Sequence, residues 1–219
     1  MGFALFAEER GWGLFNRVAL PAWLELLLAL FLLDLAIYLQ HRLFHYVPVL
    51  WRLHRMHHAD LDVDVTTGAR FHPVENLLSL GIKFLVVVPL GAAPLAVLLF
   101  EIALNGTSMF NHTNVRIAPA IERVLRWLVV TPDMHRVHHS VVRRETDSNF
   151  GFNFPWWDRL FGTFRHQPAA GHEAMTLGIG QFRDPRELRL DRMLTQPFRD
   201  DPGACREGEH PADSSANAS

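Results

Sequence analysis

Histidines arranged in three short clusters are the residues of this chain best suited to chemistry. Ten of the 13 histidines lie between His41 and His139. On a helix, residues three or four positions apart share a face, so each cluster aims its imidazoles at one point in space. Neutral imidazole is the commonest protein ligand for first-row transition metals. The clusters are His41 and His45; His54, His57 and His58; and His135, His138 and His139.

Eight clustered imidazoles exceed the capacity of one tetrahedral site, which predicts two metal ions. A single histidine would be better explained as a packed or capping residue, but eight in helical register are not. The discrete spacing also differs from an exposed polyhistidine tract. Nucleophilic catalysis is disfavoured, because Cys205 is the only thiol and no Gly-x-Ser-x-Gly turn occurs.

Two more histidines flank the second apolar tract of the chain. His112, in the sequence Phe-Asn-His-Thr-Asn, is expected to be an additional ligand. His72 is either a ligand or a residue that caps a helix or pairs with Glu75, since Pro73 favours a helix start.

Two polar residues precede the first cluster on the same helical stripe. Asp34, Tyr38, His41 and His45 are spaced four, three and four positions apart. Metal-bound imidazoles usually donate their second N–H to a carboxylate or a carbonyl. Asp34 therefore either accepts such a bond from an imidazole of another cluster or forms a polar pair inside the helical bundle. Tyr38 and Glu75 are also candidates for an additional ligand or for a residue that orients a ligand.

Two apolar tracts must position the clusters. Residues 18–40 predict a helix long enough to cross a hydrocarbon core of about 30 Å, the alternative being a buried helix of a soluble protein. Residues 74–110 are broken by Pro-Leu-Gly-Ala-Ala-Pro at 89–94, which predicts a helical hairpin. This break returns the third cluster to the side of the first two. Arginines flank both tracts there, so the positive-inside rule places the histidines on the cytoplasmic face.

The composition fits a helical membrane protein of one domain. Hydrophobic residues make up 49% of the chain, and the net charge of −2 gives no electrostatic case for nucleic-acid binding. We predict an all-α integral membrane bundle, with a broken hairpin and a histidine-rich cap, over residues 1–170. Residues 171–219 form a C-terminal segment, expected to be disordered from about residue 200. The chain has twenty arginines and one lysine, which indicates a GC-rich bacterial genome. We therefore expect the protein to lie in the bacterial inner membrane.

These motifs together resemble the fatty acid hydroxylase superfamily, also called the sterol desaturase family. The resemblance covers residues 30–164 and rests first on the three clusters, spaced His-x3-His and twice His-x2-His-His. Other motifs that match the family are Arg70-Phe71-His72-Pro73, Asn111-His112-Thr113-Asn114, Asn149-Phe150-Gly151 and Trp157-Asp158-Arg159-Leu160-Phe161-Gly162.

The resemblance implies a membrane-bound, non-haem di-iron oxygenase that acts on lipids. Members of the family hydroxylate or desaturate C–H bonds of fatty acyl chains, sterols or related lipids. They use O2 and two electrons from a redox partner, such as a reductase with a ferredoxin or a cytochrome b5-like protein. An all-imidazole site binds Zn(II) as well as Fe(II), so zinc in a purified sample would not contradict an iron enzyme.

Two expectations remain beside this hypothesis. The alternative function is a metal-binding membrane protein without redox catalysis. Only about 40 residues precede His41, fewer than in many relatives, so the resemblance implies a shortened lipid tunnel or one completed by a second subunit in an oligomer.

An aromatic segment rich in turn residues runs from Asn149 to Asp158 and includes Gly151 and Trp157. It either lines the substrate channel and caps the metal clusters, or has a structural role in which Asp158 fixes a turn. We favour the structural role. A charged run shortly before it predicts an exposed loop: Arg143, Arg144 and Glu145.

Overall fold

A computed structural model describes residues 1–200, and this part of the chain is helical, with no β-strand. The all-α prediction is therefore confirmed for these residues, whereas the predicted disordered tail lies outside them. The helices are α1 (Gly2–Glu9), α2 (Ala22–Tyr46), α3 (Pro48–His58), α4 (Pro73–Leu90), α5 (Pro94–Asn111), α6 (Pro119–Leu125), α7 (Pro132–His138), α8 (Arg143–Thr146), α9 (Trp156–Leu160) and α10 (Leu190–Met193).

The long helix α2 is the centre of the bundle, and α3, α4 and α5 all pack against it. Its buried residues fall every three or four positions along one stripe, as expected for a helix with one packed face. The first half of this stripe carries Ala29 and Leu33, which join a core with Ala96, Val97 and Phe100 of α5. The second half carries His41 and His45. The same face that holds the bundle together therefore delivers the first histidine cluster.

Helices α4 and α5 are joined by a turn at the predicted break. Helix α4 ends at Leu90, and Gly91 adopts the left-handed conformation (φ 66°) typical of a helix C-cap. Helix α5 then begins at Pro94, whose fixed φ suits a first helical turn. Lys83 and Glu101, at similar distances from the turn, are joined by a hydrogen bond of 2.7 Å. The two helices therefore run antiparallel.

Among residues 1–200, two helices, α2 and α4, are long and apolar enough to cross a membrane. The sequence of α4 is apolar, but only 11% of its most hydrophobic stretch is buried within the protein. Large side chains such as Leu77 and Leu85 are exposed by 67% and 69%. An exposed apolar surface of this kind marks a contact with a membrane or with another protein.

The second and third histidine clusters lie on the short helices α3 and α7 or directly after them, and both helices begin with residues that favour a helix start. Helices α3 and α7 begin at Pro48 and Pro132, residues that suit the first helical position. The Thr131 hydroxyl accepts a hydrogen bond from the Met134 N–H and so caps α7. Neither helix is longer than 11 residues, so their stability comes from packing against the rest of the protein.

The N-terminal segment closes the bundle at the α4–α5 turn. The N–H groups of Leu14 and Phe15 donate to the Pro89 and Leu90 carbonyls, which have no partner within α4 because they end it. Gly13 (φ 97°) lies so close to Gly91 that an added Cβ would stand 2.2 Å from the Gly91 nitrogen. This contact requires glycine at position 13.

We predict that Gly13→Ala lowers the melting temperature of the purified protein in detergent by more than Gly11→Ala does. Both residues have a positive φ, which costs an alanine about 1–2 kcal/mol. Only Gly13 also meets the backbone of another element, whereas a Cβ at Gly11 would meet nothing within 4 Å. Overpacking adds about 1–3 kcal/mol. Equal melting temperatures for the two variants would contradict the close approach of Gly13 to Gly91.

Candidate metal centre

Nine buried histidines form two adjacent groups at one end of the bundle. Within each group the ring nitrogens that could bind a metal lie within 4.8 Å of one another. The groups meet where the rings of His58 and His139 stack, with centroids 4.5 Å apart. The first histidine group is His41, His45, His54, His58 and His138; the second histidine group is His57, His112, His135 and His139.

In the first group, three rings direct lone pairs at one another. The Nδ1 atoms of His41 and His138 lie 2.8 Å from backbone carbonyls, which only accept hydrogen bonds, so each Nδ1 carries the proton. The Nδ1 of His54 donates in the same way to a Glu75 carboxylate oxygen at 2.6 Å. In the neutral form of each ring the Nε2 atom is then a lone pair, and the Nε2 atom of His41 lies 3.1 Å from those of His54 and His138.

The second group converges on one nitrogen. The Nδ1 of His112 donates to the Ser108 carbonyl at 2.6 Å, which leaves its Nε2 as a lone pair. This Nε2 lies 3.2, 3.0 and 3.2 Å from the Nε2 atoms of His57, His135 and His139. Four ring nitrogens so close to one another could all bind one cation placed between them.

A metal ion fits both groups. With metal–nitrogen bonds of about 2.0–2.1 Å, neighbouring ligand nitrogens lie about 2.8–3.4 Å apart, which includes the separations observed. Several buried ring nitrogens, among them His45 Nε2 and both nitrogens of His58, have no hydrogen-bond partner among the described residues. Buried polar atoms without a partner are costly, so these nitrogens favour a bound cation.

Burial keeps the rings in the form that binds metals. It lowers the pKa of His138 to about 3 and the pKa of His112 to about 4. Burial also lowers the pKa of His58, His135 and His139 well below the usual value. These imidazoles are therefore neutral at pH 7, and a metal does not have to displace protons to bind them.

The aromatic segment supports the first group through its backbone. The Asp158 carboxylate accepts the N–H groups of Phe150 and Gly151, both at 2.8 Å, and so fixes the turn whose Phe150 carbonyl holds His41. A Cβ at Gly151 would stand 2.7 Å from the Phe154 carbonyl oxygen, so the turn requires glycine. Asn149 adopts φ 51° and binds the Met134 and Arg165 carbonyls through its amide.

Comparison with known proteins identifies the family. A model of the family described as fatty acid hydroxylase matches residues 26–163, more than half of the chain. The chain belongs to this family. The resemblance seen in the histidine spacing is confirmed, and both histidine groups lie wholly within the matched region.

Three proteins similar to this chain are named for the lipids on which they act. The chain is 34% identical to ornithine lipid hydroxylase of Rhizobium tropici, over 68% of this chain and 44% of the relative. It is 31% identical to alkylglycerol monooxygenase of Xenopus tropicalis, over 74% and 35%. It is 30% identical to human cholesterol 25-hydroxylase, over 64% and 51%. The matches span about half or less of each relative. No solved structure matches the chain.

Of the additional residues predicted to support the clusters, Glu75 forms a hydrogen bond with a histidine of the two groups. Asp34 instead accepts hydrogen bonds from the Asn153 amide and the Trp157 indole, both at 2.8 Å. Asp34 therefore forms the polar pairing inside the bundle and does not contact an imidazole.

Tyr38 and His72 also lie outside both groups. The Tyr38 hydroxyl is hydrogen-bonded to the Thr163 hydroxyl at 2.8 Å. His72 caps α4, since its Nδ1 accepts the Val74 N–H, and its Nε2 lies 3.2 Å from the Leu194 carbonyl oxygen. The capping alternative for His72 therefore describes the structure, and Glu75 pairs with His54 instead.

The sequence did not reveal several partners of the ligands. Asp147 lies 3.2 Å from the Nδ1 of His45, next to a run that predicted only an exposed loop. That prediction is wrong for Glu145, which is buried and accepts the Ala169 N–H, although Arg143 and Arg144 are exposed. The carbonyls that hold other rings belong to the backbone and leave no residue signature.

We predict that the purified protein holds about two metal ions per chain. The variants His41→Ala and His135→Ala should each hold about one, because the first disrupts one histidine group and the second disrupts the other. The matched control is His72→Asn, which retains a residue able to cap α4 and should keep both ions. Mass spectrometric metal analysis against protein concentration measures the ratio. One ion in the wild type, or loss from His72→Asn, would contradict the assignment.

Proposed function

We propose that this chain is a membrane-bound di-iron oxygenase that hydroxylates a lipid C–H bond. The observation that carries the proposal is the pair of adjacent, all-histidine groups whose lone pairs face one another. Family membership supports the lipid substrate, because the relatives include hydroxylases of ornithine lipid and cholesterol and a monooxygenase of alkylglycerol.

The two histidine groups would each hold an iron ion, and the pair of ions would supply the activation of O2 and the oxidation of the C–H bond, chemistry that no side chain provides. The balanced reaction consumes one O2, two electrons and two protons, inserts one oxygen atom into the C–H bond and releases one water. The electrons come from a redox partner such as a ferredoxin or a cytochrome b5-like protein.

The residues of the chain hold and orient the ions. Nine imidazoles supply the ligand atoms. Glu75, Asp147 and the Phe150 carbonyl fix the rings of His54, His45 and His41 by accepting or facing their second nitrogens. Such outer contacts orient ligands and raise their basicity. Phe71, stacked 4.4 Å from the ring of His57, and Phe152 limit the access of water to the site.

We further propose that α2, α4 and α5 lie in the bacterial inner membrane, with the histidine groups at its cytoplasmic face. The exposed apolar side chains of α4 and the position of both groups at one end of the bundle support this orientation. It gives the ions access to a cytoplasmic electron donor and gives a lipid access from the bilayer.

Comparison of the lipids of cells that express the wild type or His138→Ala tests the activity. We expect a lipid with one additional oxygen atom in wild-type cells and its loss in the variant, since His138 belongs to the first group. Growth under labelled O2 should place the label in that lipid. The same lipids in both strains, with two ions bound by the wild type, would instead support metal binding without redox catalysis.

Reporter fusions test the orientation. A reporter placed after His58 and one placed after His139 should both report the cytoplasm, because α4 and α5 cross the membrane and return. Fusions at Gly91, in the α4–α5 turn, should report the opposite compartment. Reporters after His58 and His139 on opposite sides would contradict the proposed topology, since the second group needs His57 and His139 together.

A further inference from the structure

Helix α6 and the turn that follows it bury charge and expose apolar side chains. Glu122 and Arg126 are buried and form an ion pair of 3.2 Å, and the Thr131 hydroxyl donates to the same carboxylate oxygen at 2.6 Å. A surface helix of a protein in water has the opposite pattern, with its charges outside and its apolar stripe inside. The apolar side chains around the buried pair are each exposed by at least 56%: Ile121, Val124, Trp127 and Leu128.

Helix α9 continues this apolar surface. The Trp156 indole donates to the Trp127 carbonyl at 2.6 Å, and an Arg159 guanidinium nitrogen donates to the Arg126 carbonyl at 2.9 Å, so α9 lies against the turn after α6. At the end of α9, Leu160 and Phe161 are exposed as well. We call six exposed side chains the α6–α9 patch: Ile121, Val124, Trp127, Leu128, Leu160 and Phe161.

The ring contacts of α9 place the patch beside the middle of α2. Phe31 of α2 stacks on Trp156 and Tyr38 stacks on Phe161, in both cases with centroids 5.5 Å apart. Phe31 precedes His41 by ten helical residues, which is about 15 Å along the axis. The chain therefore leaves the level of the histidine groups after α5, descends along α2 through α6, and returns at α7.

The depth of the patch favours lipid over a soluble protein as its neighbour. Helix α2 is long and apolar enough to cross a membrane, and an element beside the middle of a spanning helix lies at the depth of the bilayer. Leu27 and Leu28, one turn before Phe31 on the same face of α2, are also exposed. The patch is thus continuous with apolar surface of α2, and acyl chains can cover both.

Two arginines beside the patch suit the phosphates of a lipid surface. The Arg159 guanidinium lies 3.9 Å from the ring centroids of both Trp127 and Phe164, and Arg123 is exposed next to Val124. Arginine side chains at a membrane keep their stems in apolar surroundings and extend the guanidinium to the interface, where tryptophan is also enriched. Phosphate is the anion that the interface offers to them.

We propose that the α6–α9 patch is inserted into the cytoplasmic leaflet, with acyl chains over its apolar side chains and lipid phosphates on Arg123 and Arg159. This inference rests on the membrane orientation proposed above. It means that the histidine-bearing part of the protein is anchored in the leaflet by α6 and α9 as well as by the long helices. A second copy of the chain on the patch is the alternative that the experiment must separate.

Spin labels on single cysteines test the surroundings of the patch without requiring turnover. Cys205 is the only cysteine, so each variant is made on Cys205→Ser in the full-length protein. The protein is loaded with Zn(II), which is not paramagnetic, and placed in vesicles of phosphatidylglycerol and phosphatidylcholine. Collision of each label with O2, which dissolves preferentially in hydrocarbon, is compared with collision with a water-soluble Ni(II) chelate.

The patch positions are Val124→Cys and Leu128→Cys, and we expect both labels to collide more with O2 than with the chelate. Leu85→Cys, on the exposed side of α4, is the reference for the bilayer. Leu190→Cys is the matched control, because Leu190 is exposed by 66% but lies on α10, beside the histidine end of α4. Its label should prefer the chelate.

Each other result overturns the proposal. Patch labels that prefer the chelate, as at Leu190, would place the patch in water. Patch labels that collide with neither reagent would place it in a protein contact, such as a second copy of the chain. Either result together with an O2 preference at Leu85 would refute this inference alone, whereas a chelate preference at Leu85 would refute the proposed membrane orientation too.

A charge reversal tests the phosphate contact. In the Leu128→Cys protein, Arg123→Glu places a carboxylate against the lipid phosphates, so it should reduce the O2 preference of the label, and more in phosphatidylglycerol vesicles than in phosphatidylcholine vesicles. The control Arg144→Glu changes an exposed arginine of α8 and should leave the label unaffected. Equal effects of the two substitutions would overturn the assignment of Arg123 to lipid phosphates.

Discussion

The mutual approach of unprotonated ring nitrogens is the constraint on which the rest of the structure depends. His41, His54 and His138 each use Nδ1 to donate outward, and the Nε2 atom of His41 lies 3.1 Å from the Nε2 atom of each of the other two. That arrangement is repulsive alone and becomes strongly favourable around a cation. These three rings come from α2, α3 and α7, so a metal ion bound by them would join the long helix α2 to the two short helices.

The outer contacts explain why the lone pairs converge. A carboxylate or carbonyl that accepts the Nδ1 proton decides which nitrogen remains free, and it also fixes the plane of the ring. Asp158 acts one step further out, since it shapes the turn that presents the Phe150 carbonyl to His41. Loss of such a residue would alter the direction of a ligand without removing it.

Helical periodicity explains what could be predicted from the sequence. The spacing predicts that the histidines of each cluster share a helix face, and in the structure His41, His54 and His135 lie at one end of the bundle together with His112. Asp34 and Tyr38 share the stripe of His41, but periodicity sets only the face of α2 and not which loop covers it. Glu75, Ser79 and Lys83 recur at every fourth position of α4, but the apolar character of residues 74–110 as a whole conceals this polar face in the sequence.

The distribution of the ligands along the chain also governs the order of biogenesis. The first group needs His41 and His138, which are 97 positions apart, and the second needs residues on α3 and α7. Neither group exists while the ribosome is still making α5. A chain halted before α7 would therefore present imidazoles without either complete group, and a metal ion could be held by all of its ligands only after α7 has been made.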